Sequence, residues 1–145
     1  MPPEDQPAPP GEAGSYGERR WQKDGQRAGV QIIHVAAPHY PSQVAERIIR
    51  ASLPAFRRCY GGGLERDERL AGTVGLRLRL GSDGQVADAT RIPDQTSLPD
   101  PQVVECLIAQ QRTTVLPAPE PGSDIIEYQL LLKLEPVPPW QSDIR

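Results

Sequence analysis

The sequence predicts an α+β domain, a small antiparallel sheet of about three strands with helices packed on one face. Three observations predict it. Apolar residues alternate strictly through Gly72–Leu80, as in a half-buried strand; Asp83-Gly84 follows, turn chemistry that leads into a second strand; and segments with apolar residues at helical spacing stand on both sides of that hairpin.

Taken in order, residues 1–29 read as a disordered linker. Pro2, Pro3, Pro7, Pro9 and Pro10 are followed by Gly11, Gly14, Gly17, Gly25 and Gly29 among charges, with little apolar surface to offset the entropy of ordering. The domain is expected over residues 30–136. It opens on Val30–Val35, β-branched and short, a lead-in strand stopped by Pro38 and Pro41. Ser42 is a suitable N-cap, and Val44, Ile48, Ala51 and Ala55 then recur on one helix face. Pro54 either kinks that helix or begins a second. Phe56, Cys59, Tyr60 and Leu64 continue the apolar face, and Gly61-Gly62-Gly63 is expected to fray or end it.

In the hairpin, Val74, Leu76, Leu78 and Leu80 point to one side, while Thr73, Gly75, Arg77 and Arg79 point to the other. Residues 85–92 return as the partner strand. Asp100-Pro101 is a cap followed by proline in the first turn, so a helix begins there; its apolar face is Val103, Val104, Cys106, Leu107 and Ile108. A loop with Pro117, Pro119 and Pro121 leads to a long last strand, 125–134, and residues 137–145 form a loose tail.

Several function classes find no footing in these residues. The net charge is −3 with Arg and Lys interspersed among acids, unlike the concentrated basic surface of a nucleic-acid binder. No apolar run is long enough for a transmembrane helix, so membrane contact is expected only indirectly, and no signal peptide is visible at the start. His34 and His39 are the only histidines and have no ligand-spaced partners, so no metal or other cofactor is expected. The serines lack a nucleophile-elbow context, no carboxylate pair stands out, and Gly61-Gly62-Gly63 runs into Leu64, not into the Lys and Ser/Thr of a phosphate loop. The chain is therefore expected to be no enzyme and to take no small-molecule substrate.

Cys59 and Cys106 are the only cysteines. Each lies on an apolar helix face, both helices should cover the same face of the sheet, and no thiol is left over, so a structural disulfide is expected. A redox-catalytic pair would more naturally sit as Cys-x-x-Cys.

The order of elements, and the strings Phe56-Arg57-Arg58-Cys59-Tyr60, Leu70-Ala71-Gly72, Asp83-Gly84-Gln85-Val86, Val103-Val104-Glu105-Cys106 and Leu116-Pro117-Ala118-Pro119, resemble the AgmX/PglI C-terminal domain family. That family is TonB C-terminal-like and occurs chiefly in envelope proteins of myxobacteria. The chain departs from it at Thr114-Val115-Leu116-Pro117, where the family places an aromatic pair, and at Gly61-Gly62-Gly63. The resemblance implies a non-catalytic interaction module or adaptor in the periplasm or cell envelope, with the cytoplasm as the alternative location. Its partner would be an envelope protein or a second copy; the alternative is a structural subunit of a larger multiprotein machine. The last strand is expected at a sheet edge, where an extended partner segment can add by main-chain pairing. The residues expected to meet that partner are Tyr128, Gln129, Leu131 and Lys133 on this strand, with Arg77 and Arg79 on the open face.

Overall fold

The structure, a computed structural model, describes residues 22–137. Among these residues five strands form one antiparallel sheet: β1 (Gln22–Lys23), β2 (Gln26–Ala36), β3 (Gly72–Leu80), β4 (Val86–Ile92) and β5 (Ile125–Pro136), in the spatial order β1-β2-β5-β3-β4. Three α-helices accompany them: α1 (Ser42–Ala51), α2 (Leu53–Arg66) and α3 (Pro101–Arg112), with a short 3-10 helix at Pro93–Gln95. The α+β class with one disulfide is as expected, but the sheet has five strands instead of about three.

Two strands exceed that number: the lead-in strand joins the sheet as β2, and β1 comes from the expected linker. Asp24 and Gly25 both adopt positive φ, 57° and 76°, and fold β1 back onto β2. Asp-Gly is a preferred pair for such a two-residue hairpin loop, because both central positions need the left-handed region. From Ala28 onward β2 is part of the core. Ala28, Val30 and Ile32 stand opposite Leu134, Leu132 and Leu130 of β5, and Ala28 and Val30 are buried. The linker therefore cannot extend to residue 29; residues 1–21 lie outside the described residues, as do 138–145 of the expected tail. Val137 itself donates its N–H to the Gly25 carbonyl at 2.9 Å.

Pro54 opens a second helix. Ser52 stands between α1 and α2 and Pro54 occupies the first turn of α2, where a proline has no intrahelical donor to lose. Ser42 is inside α1; the cap position belongs to Pro41, with no side-chain hydrogen bond. The glycine triplet does not end α2, which continues to Arg66. Packing explains this. A Cβ on Gly63 would lie 2.5 Å from Leu70 Cδ2 and 2.5 Å from Val103 Cγ2, so its absence lets α2 approach α3 and the loop into β3. Tertiary contact outweighs the poor helix propensity of glycine.

α3 begins as the sequence predicts. The Asp100 carboxylate accepts from Val103 N at 3.1 Å and receives a two-pronged bond from Arg66 at 3.0 and 2.8 Å, which joins the start of α3 to the end of α2. The Asp83-Gly84 turn also forms: Gly84 has φ 87°, and a Cβ there would run into the Leu116 carbonyl. The helices cover one face of the sheet, α2 against β2 and α3 against β4. Beneath them lie Val74, Leu76 and Leu78 of β3 with Ile126, Tyr128, Leu130 and Leu132 of β5, all fully buried.

The glycines yield a paired expectation. Gly62 would place a Cβ in open space. Gly62→Ala should therefore stabilise the domain by about 0.5–1 kcal/mol. Gly63→Ala should destabilise it, because overpacking a filled core costs about 1–3 kcal/mol and exceeds that gain. Chemical denaturation of the two variants would show opposite signs.

A second expectation concerns acid. Partial burial by itself would raise the Asp100 carboxyl, but the Arg66 bond and the Val103 N–H outweigh it and hold the group below its ordinary value. The unfolded chain then binds this proton more readily, so the contribution is present above about pH 4 and is lost as pH falls through the folded-state value. Asp100→Asn keeps a capping side chain and should flatten the fall in urea midpoint between about pH 5 and pH 2.5.

Candidate interaction surface

The side of the sheet away from the helices is built from the alternate residues of each strand. Across it, register aligns Asp88 with Arg79 and Ile125, then Thr90 with Arg77, Glu127 and Ala36, then Ile92 with Gly75, Gln129 and His34, then Thr73 with Leu131 and Gln31. Lys133 follows beside Gly29. The expected residues Arg77, Arg79, Gln129, Leu131 and Lys133 therefore share one face.

Tyr128 does not share it. It projects to the helix side, fully buried, and donates its hydroxyl to Gln111 Oε1 at 2.6 Å. Burial pushes its hydroxyl pKa well above the ordinary value. Gln111 Nε2 in turn donates to Ser52 Oγ at 3.3 Å and Thr114 Oγ1 at 3.2 Å. Tyr128 thus ties β5 to α3 and to the α1–α2 junction and is unavailable to a partner. The period of two already put Tyr128 with Ile126 and Leu130, opposite Gln129 and Leu131.

The second correction concerns the edge. β5 is central, paired with β2 on one side and β3 on the other, so its main chain cannot receive another strand. The sheet edges are β4 and the β1–β2 side. β1 covers the start of β2 at Gln26 and Arg27, and a bulge at Ile32/His34 interrupts the rest, leaving Ile33 44% exposed. Bulges of this kind discourage edge pairing. β4 has a bulge only at its start, where Arg79 pairs with Asp88 and Leu80 with Val86. From Asp88 to Ile92 its register against β3 is regular. The chain itself covers the first position before β4, through an antiparallel bridge between Gln85 and Val115 and a bond from Leu116 N to Gly84 O at 2.9 Å.

The open face is neither bare nor uniformly charged. Arg77 bonds Glu127 at 2.6 Å, and Arg27 bonds Glu135 at 2.9 Å. The segment after β4 folds across the middle: the Gln95 carbonyl accepts from Gln129 Nε2 at 3.0 Å and Thr73 Oγ1 at 3.1 Å, and Ser97 Oγ accepts from Thr73 N at 2.9 Å. Gln129 is thereby held from above, and Leu131 is half-buried. Arg79, beside β4, is exposed and has no ion-pair partner among the described residues.

Cys59 on α2 and Cys106 on α3 form the expected disulfide, with S–S 2.03 Å and Cα–Cα 5.7 Å. Such a bond is compatible with an oxidising compartment. No helix among the described residues is long and apolar enough to cross a membrane, and no group of three His, Cys, Asp or Glu side chains there could hold a metal ion. No family model, curated protein or solved structure matches the chain.

The disulfide closes a long loop, its cysteines 47 positions apart. In the chain-entropy account this contributes on the order of 4 kcal/mol by restricting the unfolded chain. The Cys59→Ala/Cys106→Ala variant should lose roughly that amount in urea unfolding; a loss below about 1 kcal/mol would show that the unfolded chain already retains structure between these two segments.

Proposed function

We propose that the chain is a non-catalytic protein–protein interaction module of a bacterial cell envelope and that its partner adds an extended strand to the outer edge of β4. The observation carrying this reading is the Asp88–Ile92 edge, which β3 pairs on one side and no described strand pairs on the other. Main-chain pairing supplies affinity in such a complex, and side chains flanking the edge supply selectivity. Here the flanking groups are Asp88 and Thr90 on the strand, with Arg77 and Arg79 one strand behind. Arg79 is available to a carboxylate on the incoming segment, an arrangement in which arginine forms two parallel bonds.

The remainder of the open face is the wider contact zone. Gln129 and Leu131 lie across β3 from the edge, Gln129 beneath the Gln95 carbonyl, and Lys133 continues the same face beside Gly29 of β2. The disulfide and the resemblance of the Cys59, Asp83-Gly84 and Cys106 strings to the AgmX/PglI C-terminal domain family support an envelope location. The TonB-like character of that family agrees with a module that pairs through a sheet.

Hydrogen exchange on the complex purified from the native envelope tests the reading. Amides of Ala87–Ile92 should exchange at least tenfold more slowly in the complex than in the free chain, and Arg79→Glu should reduce recovery of the complex at least tenfold with an unchanged melting temperature. Protection confined to β2 or to the helices would overturn the β4 assignment.

A further inference from the structure

The loop between α3 and β5 contains a second surface of different chemistry. In Leu116-Pro117-Ala118-Pro119-Glu120-Pro121 every residue is either a proline or the residue before one. A proline ring fixes its own φ near −65°, and its Cδ pushes the preceding residue into the extended region. Local sterics therefore bias this run toward polyproline II, a helix of three residues per turn, until Pro121 enters the turn closed by the Ser123 N–H on the Glu120 carbonyl. Burial follows that period: Leu116 is buried and Pro119 half-buried, while Pro117, Ala118, Glu120 and Pro121 are exposed.

The ridge is also pinned. Leu116 N donates to the Gly84 carbonyl, the Tyr40 hydroxyl to the Pro117 carbonyl at 2.8 Å, and Ser123, through N at 2.9 Å and Oγ at 2.7 Å, to the Glu120 carbonyl. Tyr40 and Ser123 are themselves buried, which anchors both ends. Little conformational freedom remains to be lost when such a segment binds. Val115, 59% exposed, extends the apolar surface at its start.

We propose that residues 116–121 are a preformed polyproline ridge that docks in an aromatic-lined groove of another protein. Flat aromatic rings are the surface that reads exposed proline in this conformation. Among the described residues the aromatic ones are Tyr40, Phe56, Tyr60 and Tyr128, all buried in the core, so the described part of a second copy presents no aromatic-lined groove. Glu120, exposed on the ridge, suits a basic residue at the rim of the partner's groove. The inference is separate from strand addition at β4, and Arg79→Glu serves as the variant that leaves the ridge intact.

The test places a photo-cross-linking residue at Ala118 of the full chain in the cells that produce it, with a proline decamer as competitor. The expected result is an adduct to another protein, at a peptide containing Trp or Tyr, that the decamer reduces at least tenfold. Pro117→Ala/Pro121→Ala should reduce it as much at an unchanged melting temperature; if that variant is less stable, Pro121→Ala alone serves, since the start of the ridge is then unaltered. Persistence of the adduct in the Arg79→Glu variant separates this result from failure of the β4 reading. No adduct, an adduct within this chain, or one indifferent to the decamer would overturn the proposal.

Discussion

β5 is the last strand in the chain and the middle strand of the sheet, and every other part of the fold is placed by it. Its twelve residues pair with β2 along one side and β3 along the other, while Ile126, Tyr128, Leu130 and Leu132 fill the space beneath the helices. Before β5 is in place the β1–β2 ribbon and the β3–β4 hairpin have no common neighbour. The sheet is completed by pairings between distant parts of the sequence, such as Ala28 with Leu134. Such contacts require loop closure before they return any stabilisation, which makes their formation the slow part of assembling a small domain.

The helical layer is tied to that strand through polar and covalent links as well as apolar packing. Tyr128 reaches Gln111 on α3, and Gln111 reaches Ser52 at the α1–α2 junction. A buried amide is costly when left without partners, so this chain of bonds also specifies one placement of the helices over β5. The disulfide and the Arg66–Asp100 pair fix α2 to α3 at two further points, and Gly63 permits the approach. The Tyr60 hydroxyl holds the loop into β3 through the Leu70 carbonyl at 2.6 Å. Its burial pushes that hydroxyl up to about 12, so it remains a neutral donor throughout the physiological range.

A central β5 redistributes what the surface can do. The main-chain groups of the longest strand are consumed within the sheet, so in the proposed reading strand addition falls to the shorter β4. The segment after β4 returns over the open face to hold Gln129, and the segment after α3 returns beside Gln85 before becoming the proline ridge. Two connecting loops thus frame β4, one over the face and one at its start.

The sequence by itself determined the local structure. Alternation through Val74–Leu80, the Asp83-Gly84 turn, Asp100-Pro101 at the start of α3 and the paired cysteines are legible because each depends on residues near one another in the chain, or on counting. The Asp24-Gly25 turn carries the same chemistry as Asp83-Gly84, but the prolines and glycines before it lower the expected order of the whole segment. Only the tertiary structure decided three further matters: that α2 runs through its glycines, that the Tyr128 hydroxyl links β5 to Gln111 of α3, and that β5 lies between β2 and β3. The physical reason is common to all three. Glycine in a helix is tolerated when a neighbouring helix fills the space, a tyrosine is buried when a partner for its hydroxyl comes from elsewhere in the chain, and strand order is set by which apolar faces meet; periodicity along one segment records none of these.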